Sequence, residues 1–387
     1  MDVEQSEIIV WIAIGALTAI QMVYLFAVYN AVHRRKKDER KGNIMLTEDK
    51  PGISIVMVAS DHEELLAENL PHILTQDYPD YEVIVVDDNS QDDTKDLLQR
   101  LALKHQHLYS TFTSDSIRYI SRKKLALTLG IKAAKKEWLV FIEPDCRPAS
   151  NQWLALMARH FTENTDVVLG YSNYVRRGGL ANLCYMYDTL VQQVGMLGLT
   201  LHGLGYMGIG RNMAYRKEIF FNSKGYSRHL DLERGEDDLF INEHVKGSRM
   251  TAEVSAEATV RCEVANTHKW TSDKLNRIFV RRKMQGAGPY LTDLDTLSRS
   301  LYLLGVVGGI IYSCVCGWWI TLIVCASLWT IWWATRLVIF HFLAKDLGER
   351  KYNVSLPLMD LMQPCWELYF RLRLMVTSKR AFLRSKI

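Results

Sequence analysis

The chain has 387 residues, 48% hydrophobic and 23% charged, with a formal net charge of +4. That apolar content excludes a disordered chain, and only seven cysteines over this length exclude a disulfide-dense scaffold. The mean hydropathy of −0.06 averages two unlike populations, because no charged residue occurs from Ile8 to Val32 or from Ser300 to Thr335.

Residues 1–7 carry Asp2, Glu4 and Glu7 and are expected to form a short extracytoplasmic N-terminus. Residues 8–32 are long enough to cross a hydrocarbon core of roughly 30 Å, which needs about 20 helical residues. The acidic start, the long apolar stretch and the lack of a small-x-small cleavage site mark a retained anchor rather than a signal peptide. Residues 33–50 form a basic linker, in which Arg34, Arg35, Lys36, Lys37, Arg40 and Lys41 place this side in the cytoplasm by the positive-inside rule.

Pro51 opens a folded region expected over residues 51–295. The β-rich run from Ile53 to Ala59 suits a buried parallel strand, and Glu63 to Thr75 has helical apolar spacing. Tyr78-Pro79-Asp80 then breaks the chain before a second strand, Tyr81 to Val86, that ends in Asp87-Asp88-Asn89-Ser90. The pattern repeats: a helix from about Asp92, a strand near Leu108, a helix around Leu125 to Ala134, and a strand from Trp138 to Ile142 ending in Glu143-Pro144-Asp145. Such alternation implies an α/β fold, a Rossmann-like, mostly parallel sheet with helices on both faces.

The second apolar run is too long for one crossing, since about 36 residues span about 54 Å as a helix. A transmembrane helical hairpin is expected over residues 300–343, with Trp318 and Trp319 at an interfacial turn and Arg336 snorkelling near the cytoplasmic end or facing a functional cavity. Residues 344–387 form a basic cytoplasmic tail, where Leu356 to Val376 has the mixed character of an interfacial helix. Residues 1–7 contribute −3, 34–41 contribute +4 and 344–387 contribute +5, leaving −2 for the remainder. The basic excess therefore flanks the membrane, and no nucleic-acid partner is expected. Cys146, Cys184, Cys262 and Cys365 show no Cys-x-x-Cys spacing and are expected to be free thiols in a reducing compartment rather than a zinc site.

In sheets of this kind ligands sit beyond the carboxyl ends of the strands, where both acidic clusters fall. Taken alone, Asp87-Asp88-Asn89-Ser90 reads first as a helix-capping turn. Two clusters at one sheet edge point instead to a site for a cation and a polyphosphate, with Mg²⁺ or Mn²⁺ matching the oxygen ligands. No Gly-x-x-x-x-Gly-Lys-Ser/Thr or Gly-x-Gly-x-x-Gly loop follows the first strand, which disfavours kinase, ATPase and dinucleotide readings.

Five ordered landmarks over residues 51 to about 290 resemble family 2 glycosyltransferases of GT-A fold attached to membrane helices. Ser60-Asp61-His62-Glu63-Glu64 is similar to that family's Tyr-Asn-Glu segment at the nucleotide base, keeping Glu63. Asp87-Asp88-Asn89-Ser90 matches Asp-Asp-x-Ser, whose carboxylate contacts the nucleoside, and Arg122-Lys123-Lys124-Leu125-Ala126-Leu127 resembles Gly-Lys-x-x-Ala-Leu, placing Lys123 near the nucleotide. Glu143-Pro144-Asp145 stands in place of Asp-x-Asp, so the resemblance implies Asp145, with Glu143, as metal ligands. Gly235-Glu236-Asp237-Asp238-Leu239 is similar to the Glu-Asp motif that supplies the catalytic base, with Asp237, Glu236 and Asp238 as the competing positions.

Gly208 to Tyr215 resembles the segment lining the acceptor and donor-sugar side, which carries Gly210 and Asn212. Arg281, Arg282 and Lys283 lie where processive synthases carry Gln-x-x-Arg-Trp; that motif is absent, which implies single-sugar transfer or a short product rather than long-chain synthesis. Arg281 and Arg282 are expected either to neutralise the leaving diphosphate or to form a membrane-surface patch. The resemblance implies an inverting, metal-dependent transferase at a cell inner membrane, of hexosyl or N-acetylhexosaminyl type, with a nucleotide-sugar donor and a lipid-linked or glycan acceptor. Transfer to a polyprenyl phosphate and a catalytically degenerate sugar-nucleotide-binding scaffold are the alternatives.

Overall fold

The computed structural model describes residues 3–113, 121–263, 267–378 and 382, with side chains from residue 7 onward. Asp2 at the expected extracytoplasmic end and Lys379, Arg380, Arg384 and Lys386 of the tail lie outside the described residues. At the N-terminus, α1 (Val3–Val23), a π-helical turn (Tyr24–Tyr29) and α2 (Asn30–Arg40) follow one another without a break. The α/β region then runs β1 (Ile53–Ala59), α3 (Glu63–Leu74), β2 (Tyr81–Asp87), α4 (Thr94–Lys104), β3 (Leu108–Phe112), α5 (Arg122–Ala133) and β4 (Trp138–Phe141). Beyond it come β5 (Cys146–Pro148), α6 (Trp153–Ala158), β6 (Val167–Gly170), β7 (Ser172–Tyr174), α7 (Leu180–Leu201), β8 (Met213–Arg216) and α8 (Lys217–Asn222). The chain continues through α9 (Asp238–His244), β9 (Met250–Glu253), β10 (Val260–Cys262), α10 (Thr267–Arg281), α11 (Ala287–Cys316), α12 (Trp319–Asp346) and α13 (Leu356–Val376).

Seven strands form one sheet in the order β3-β2-β1-β4-β8-β6-β9. Neighbours are parallel from β3 to β4, β8 is antiparallel to both β4 and β6, and β6 and β9 are parallel. The strands are apolar on both faces because helices cover both. Ile53, Ile55 and Met57 of β1 join Leu66, Leu70 and Ile73 of α3 in one core, while Val56 joins Ala126, Leu127 and Ile131 of α5 in the other. β2 alternates in the same way, Val83 and Val85 against Ile84 and Val86, as the period of two demands. A one-residue slip of either strand would exchange the two cores.

A small second sheet, β5-β10-β7, sets Cys146 directly opposite Cys262, and the two are joined by a disulfide. This corrects the expectation that all the cysteines are free. The partners stand 116 residues apart in sequence, and only the cross-strand register brings them together. Cys184, Cys314, Cys316, Cys325 and Cys365 are free.

Among the described residues, three helical segments are long and apolar enough to cross a membrane: Glu7–Arg40, Ala287–Cys316 and Trp319–Asp346. The last two form a hairpin whose turn is Gly317, in the left-handed region at φ 72°, next to an exposed Trp319. Helix α11 begins well before the uncharged stretch, because Asp295 and Arg299 of its first turns are buried together against Tyr29. Arg336 does not snorkel: it is fully buried, with Nε 2.8 and 2.9 Å from the two carboxylate oxygens of Asp360 on α13 and an Nη donating to Tyr187 of α7. An unpaired charge there would be expensive, so the pair ties α12 to α13, and the bond to Tyr187 ties both to α7. Helix α7 also passes the N-terminal helix closely, since a Cβ on Gly198 would stand 2.1 Å from the Val28 carbonyl oxygen.

Candidate functional site

Beyond the carboxyl ends of β1, β2 and β4 lies a cleft of about 600 Å³. The loop after β1 brings Asp61 and His62 to it, the turn after β2 brings Asp88, and the end of β4 brings Glu143 and Asp145. The opposite wall comes from Gly208–Arg211 before β8, Arg234–Asp238 before α9, and Lys269, Asp273 and Arg277 of α10. Residues separated by more than 200 positions therefore meet because parallel strands deliver their loops to one edge.

Cations hold the β4 end of the cleft. Glu143 accepts hydrogen bonds from Lys123 at 3.0 Å and from Arg211 at 2.9 Å, and Asp145, only 3% exposed, pairs with Lys269 at 2.9 Å. Burial works against the ionised Glu143 carboxylate, but Lys123 and Arg211 outweigh it and hold the group well below the usual carboxylate range. Lys123 is raised despite burial, because Glu236 at 2.8 Å and Glu143 both favour its charge.

At the α9 end the balance reverses for one group. Glu236 is 4% exposed and locked to Lys123; burial pushes it up, but Lys123 and Arg234 together hold it below its ordinary value. Asp237 is half-buried and accepts the Gly210 N–H at 2.9 Å. Burial and then the neighbouring Glu236 push its pKa up to about 7. Asp238 is raised to about 6 by burial and Glu236, and its carboxylate bonds the Leu239 N–H at the start of α9. Gly210 permits this arrangement, since a Cβ there would lie 2.5 Å from an Asp237 oxygen.

A family model described as "Glycosyl transferase family 2" matches residues 54–221, which contain β1, β2, β4 and the Glu143-Pro144-Asp145 loop. These residues are a family 2 glycosyltransferase domain. The fold matches the mannosyltransferase PcManGT from Pyrobaculum calidifontis, solved in complex with GDP-Man and Mn²⁺, at TM-score 0.50 and 17% identity over 91% of this chain and 99% of that one. Among curated proteins, the glycosyltransferase AglE of Haloferax volcanii is 28% identical over 28% of this chain and 35% of its own length. The Escherichia coli UDP-Glc:alpha-D-GlcNAc-diphosphoundecaprenol beta-1,3-glucosyltransferase WfaP is 26% identical over 32% of this chain and 45% of its own length. The chain thus spans less than half the length of either curated relative.

Of the residues singled out from sequence, Asp88, Lys123, Glu143, Asp145, Gly210, Glu236, Asp237 and Asp238 meet in this one cleft, the last three beyond the residues that the family model matches. Asp87 does not line it; the carboxylate takes the Ser90 N–H and hydroxyl and holds the turn, while Asp88 is bound by Arg122 and Thr113. Glu63 lies at the first turn of α3, outside the lining. Asn212 is buried beneath the site, accepting the Trp153 indole N–H and donating to the Tyr171 and Ala258 carbonyls. Arg281 and Arg282 line a different cavity, nearer the membrane helices.

Several working residues carry no role in the sequence reading. Lys124, fully buried, donates to the carbonyls of His229, Leu232 and Arg234, pinning the loop that presents the acidic cluster. Burial lowers its pKa to about 8. Nothing in Arg122-Lys123-Lys124 distinguishes the inward lysine except its place one position along the helix. Arg211, Arg234, Lys269 and Asp273 form the rest of the charged wall, on loops and a helix whose approach only the fold reveals.

Proposed function

We propose that the protein is a membrane-anchored, inverting glycosyltransferase that moves one sugar from a nucleotide-sugar donor to a lipid-linked or glycan acceptor at the cytoplasmic face of a cell inner membrane. The observation that carries this reading is the division of one cleft between a cation-clamped carboxylate pair and an accessible carboxylate with a pKa near neutrality. The family 2 domain, the nucleotide sugar and Mn²⁺ named for the structural relative, and the nucleotide-sugar donor named for WfaP support the donor class. The basic flanks of the apolar helices support the cytoplasmic orientation.

Glu143, Asp145 and Cys146 offer ligand atoms within 4.8 Å of one another, and the disulfide withdraws the sulfur. The oxygen donors that remain fit Mg²⁺ or Mn²⁺, which Asp145 and Glu143 would hold. Such an ion, when bound, would neutralise charge on the diphosphate leaving group. Arg211 and Lys269 bring further positive charge to the same place. Across the cleft, Asp237 takes the proton of the acceptor hydroxyl as that oxygen attacks the anomeric carbon and the bond to the diphosphate breaks on the opposite face, inverting the centre. A pKa of about 7 leaves a substantial ionised fraction at cytoplasmic pH while keeping the group basic enough for the transfer. The absence of Gln-x-x-Arg-Trp supports a single addition.

A screen of nucleotide sugars for nucleoside diphosphate release, with Mg²⁺ or Mn²⁺ and a membrane extract as acceptor, tests the reading. Release is expected with the native chain and lost in Asp145→Ala; binding without release from any donor would favour a degenerate scaffold.

A further inference from the structure

A second cavity lies between the catalytic domain and the membrane helices, walled by the π-helical turn and by α7, α10, α11 and α13. Its lining carries six cationic side chains and four carboxylates. The carboxylates are engaged: Asp188 and Glu367 hold Lys274 at 2.5 and 2.6 Å, Asp295 faces Arg299 at 3.7 Å, and Asp293 is shared by Arg371 and Arg281 at 3.1 and 3.4 Å. Two guanidinium groups have no carboxylate within salt-bridge reach among the described residues. Arg277 donates to Gln192, and Arg282 stands exposed at the mouth.

Three buried polar atoms on the same walls also have no hydrogen-bond partner among the described residues: Arg281 Nε, Asp295 Oδ1 and Gln363 Oε1. Asp295 and Gln363 are only 6% and 4% exposed. Buried polar groups are ordinarily satisfied, so such a cluster marks groups waiting for a ligand. The free guanidinium charge and the Arg281 N–H call for an anion, whereas the two orphan acceptors call for hydroxyl or N–H donors. A bare phosphate answers only the first demand; a sugar phosphate answers both. Position narrows the source, because Thr292 to Arg299 stand immediately before the uncharged run that begins at Ser300. Arg277 lines both this cavity and the catalytic cleft, so the two adjoin at that side chain.

We propose that this cavity binds the glycosyl phosphate or glycosyl diphosphate headgroup of a lipid acceptor, with Arg277 and Arg282 on the phosphate and Asp295 and Gln363 on sugar hydroxyls. The assignment rests on the glycosyltransferase reading and names the acceptor class for it. Cation-assisted hydrogen bonds supply the discrimination between the charged lipid and its alcohol.

The test uses the full chain in detergent and three probes: a short polyprenyl diphosphate bearing one N-acetylhexosamine, the corresponding polyprenol, and inorganic pyrophosphate. The glycolipid should bind at least about tenfold more tightly than the alcohol, and Arg282→Gln and Gln363→Leu should each erode that preference. Nucleoside diphosphate binding with Mn²⁺, measured on the same samples, should match the native chain. Equal retention of glycolipid and alcohol, an unchanged preference in Arg282→Gln, or pyrophosphate competing as well as the glycolipid would each overturn the assignment, the last in favour of a soluble anion. Failure of the native chain to bind any nucleoside diphosphate or sugar nucleotide would instead overturn the transferase reading, while the glycolipid-to-alcohol ratio still decides the headgroup site.

Discussion

At the β4 end of the cleft, Glu143 lies between Lys123 and Arg211 and is held ionised; about the same lysine, at the α9 end, Glu236 is held ionised while Asp237 next to it rises to about 7. All three are carboxylates at least partly buried. What separates them is the distribution of cations, because the positive charge spent on Glu143 and Glu236 is not available to Asp237, and the ionised Glu236 repels a second charge beside it. One end stays charged, whereas the other titrates near neutral pH, as the proposed base must.

Removing the Asp237 carboxylate has the largest expected effect. Asp237→Asn should lower kcat by about a hundred- to ten-thousandfold, the usual range for a lost general base, while calorimetry finds nucleoside diphosphate binding nearly intact. Unchanged turnover would move the base to Glu236 or Asp238. Gly210→Ala acts on position rather than chemistry. Its methyl group would sit where the Asp237 carboxylate now meets the Gly210 N–H, so kcat should fall by up to about a hundredfold with little change in donor affinity. Lys123→Met removes the shared cation and leaves Glu236 buried without its partner. A loss of roughly 2 kcal/mol in unfolding free energy is expected, discounted for the partial exposure of the lysine, and Lys123→Met/Glu236→Gln should recover much of it.

Much of this site was legible in the sequence, and the limits of that legibility are physical. Strands β1, β2 and β4 announce themselves as short β-rich runs, and the acidic residues at their ends follow from the rule that parallel strands aim their loops at one edge. Residue type could not divide Asp87 from Asp88: adjacent positions at a strand end point opposite ways, and only the turn closed by Ser90 shows which carboxylate is consumed by the backbone. Asn212 misled for a related reason, since a polar side chain in a glycine-rich segment serves equally to tie three elements together. The Cys146–Cys262 bond, the Arg336–Tyr187 bond and the three carbonyls on Lys124 all join segments distant in sequence, for which no local spacing carries a signal.

The smallest expected effect is also the most discriminating. If Asp237 is the base, kcat/KM should rise with pH through about 7 and level off above it, because the group must lose its proton before it can accept one from the acceptor. Glu236 is the strongest charged neighbour raising that pKa, and Lys123 the cation opposing it. Glu236→Gln removes the repulsion and frees Lys123 to act more fully on Asp237, so both changes favour the ionised base and the rising limb should move to lower pH. Removing Lys123 instead should move the limb to higher pH. The opposite shifts from two members of one ion pair separate electrostatic control of Asp237 from general damage to the site, which would lower the plateau in both variants without displacing either limb.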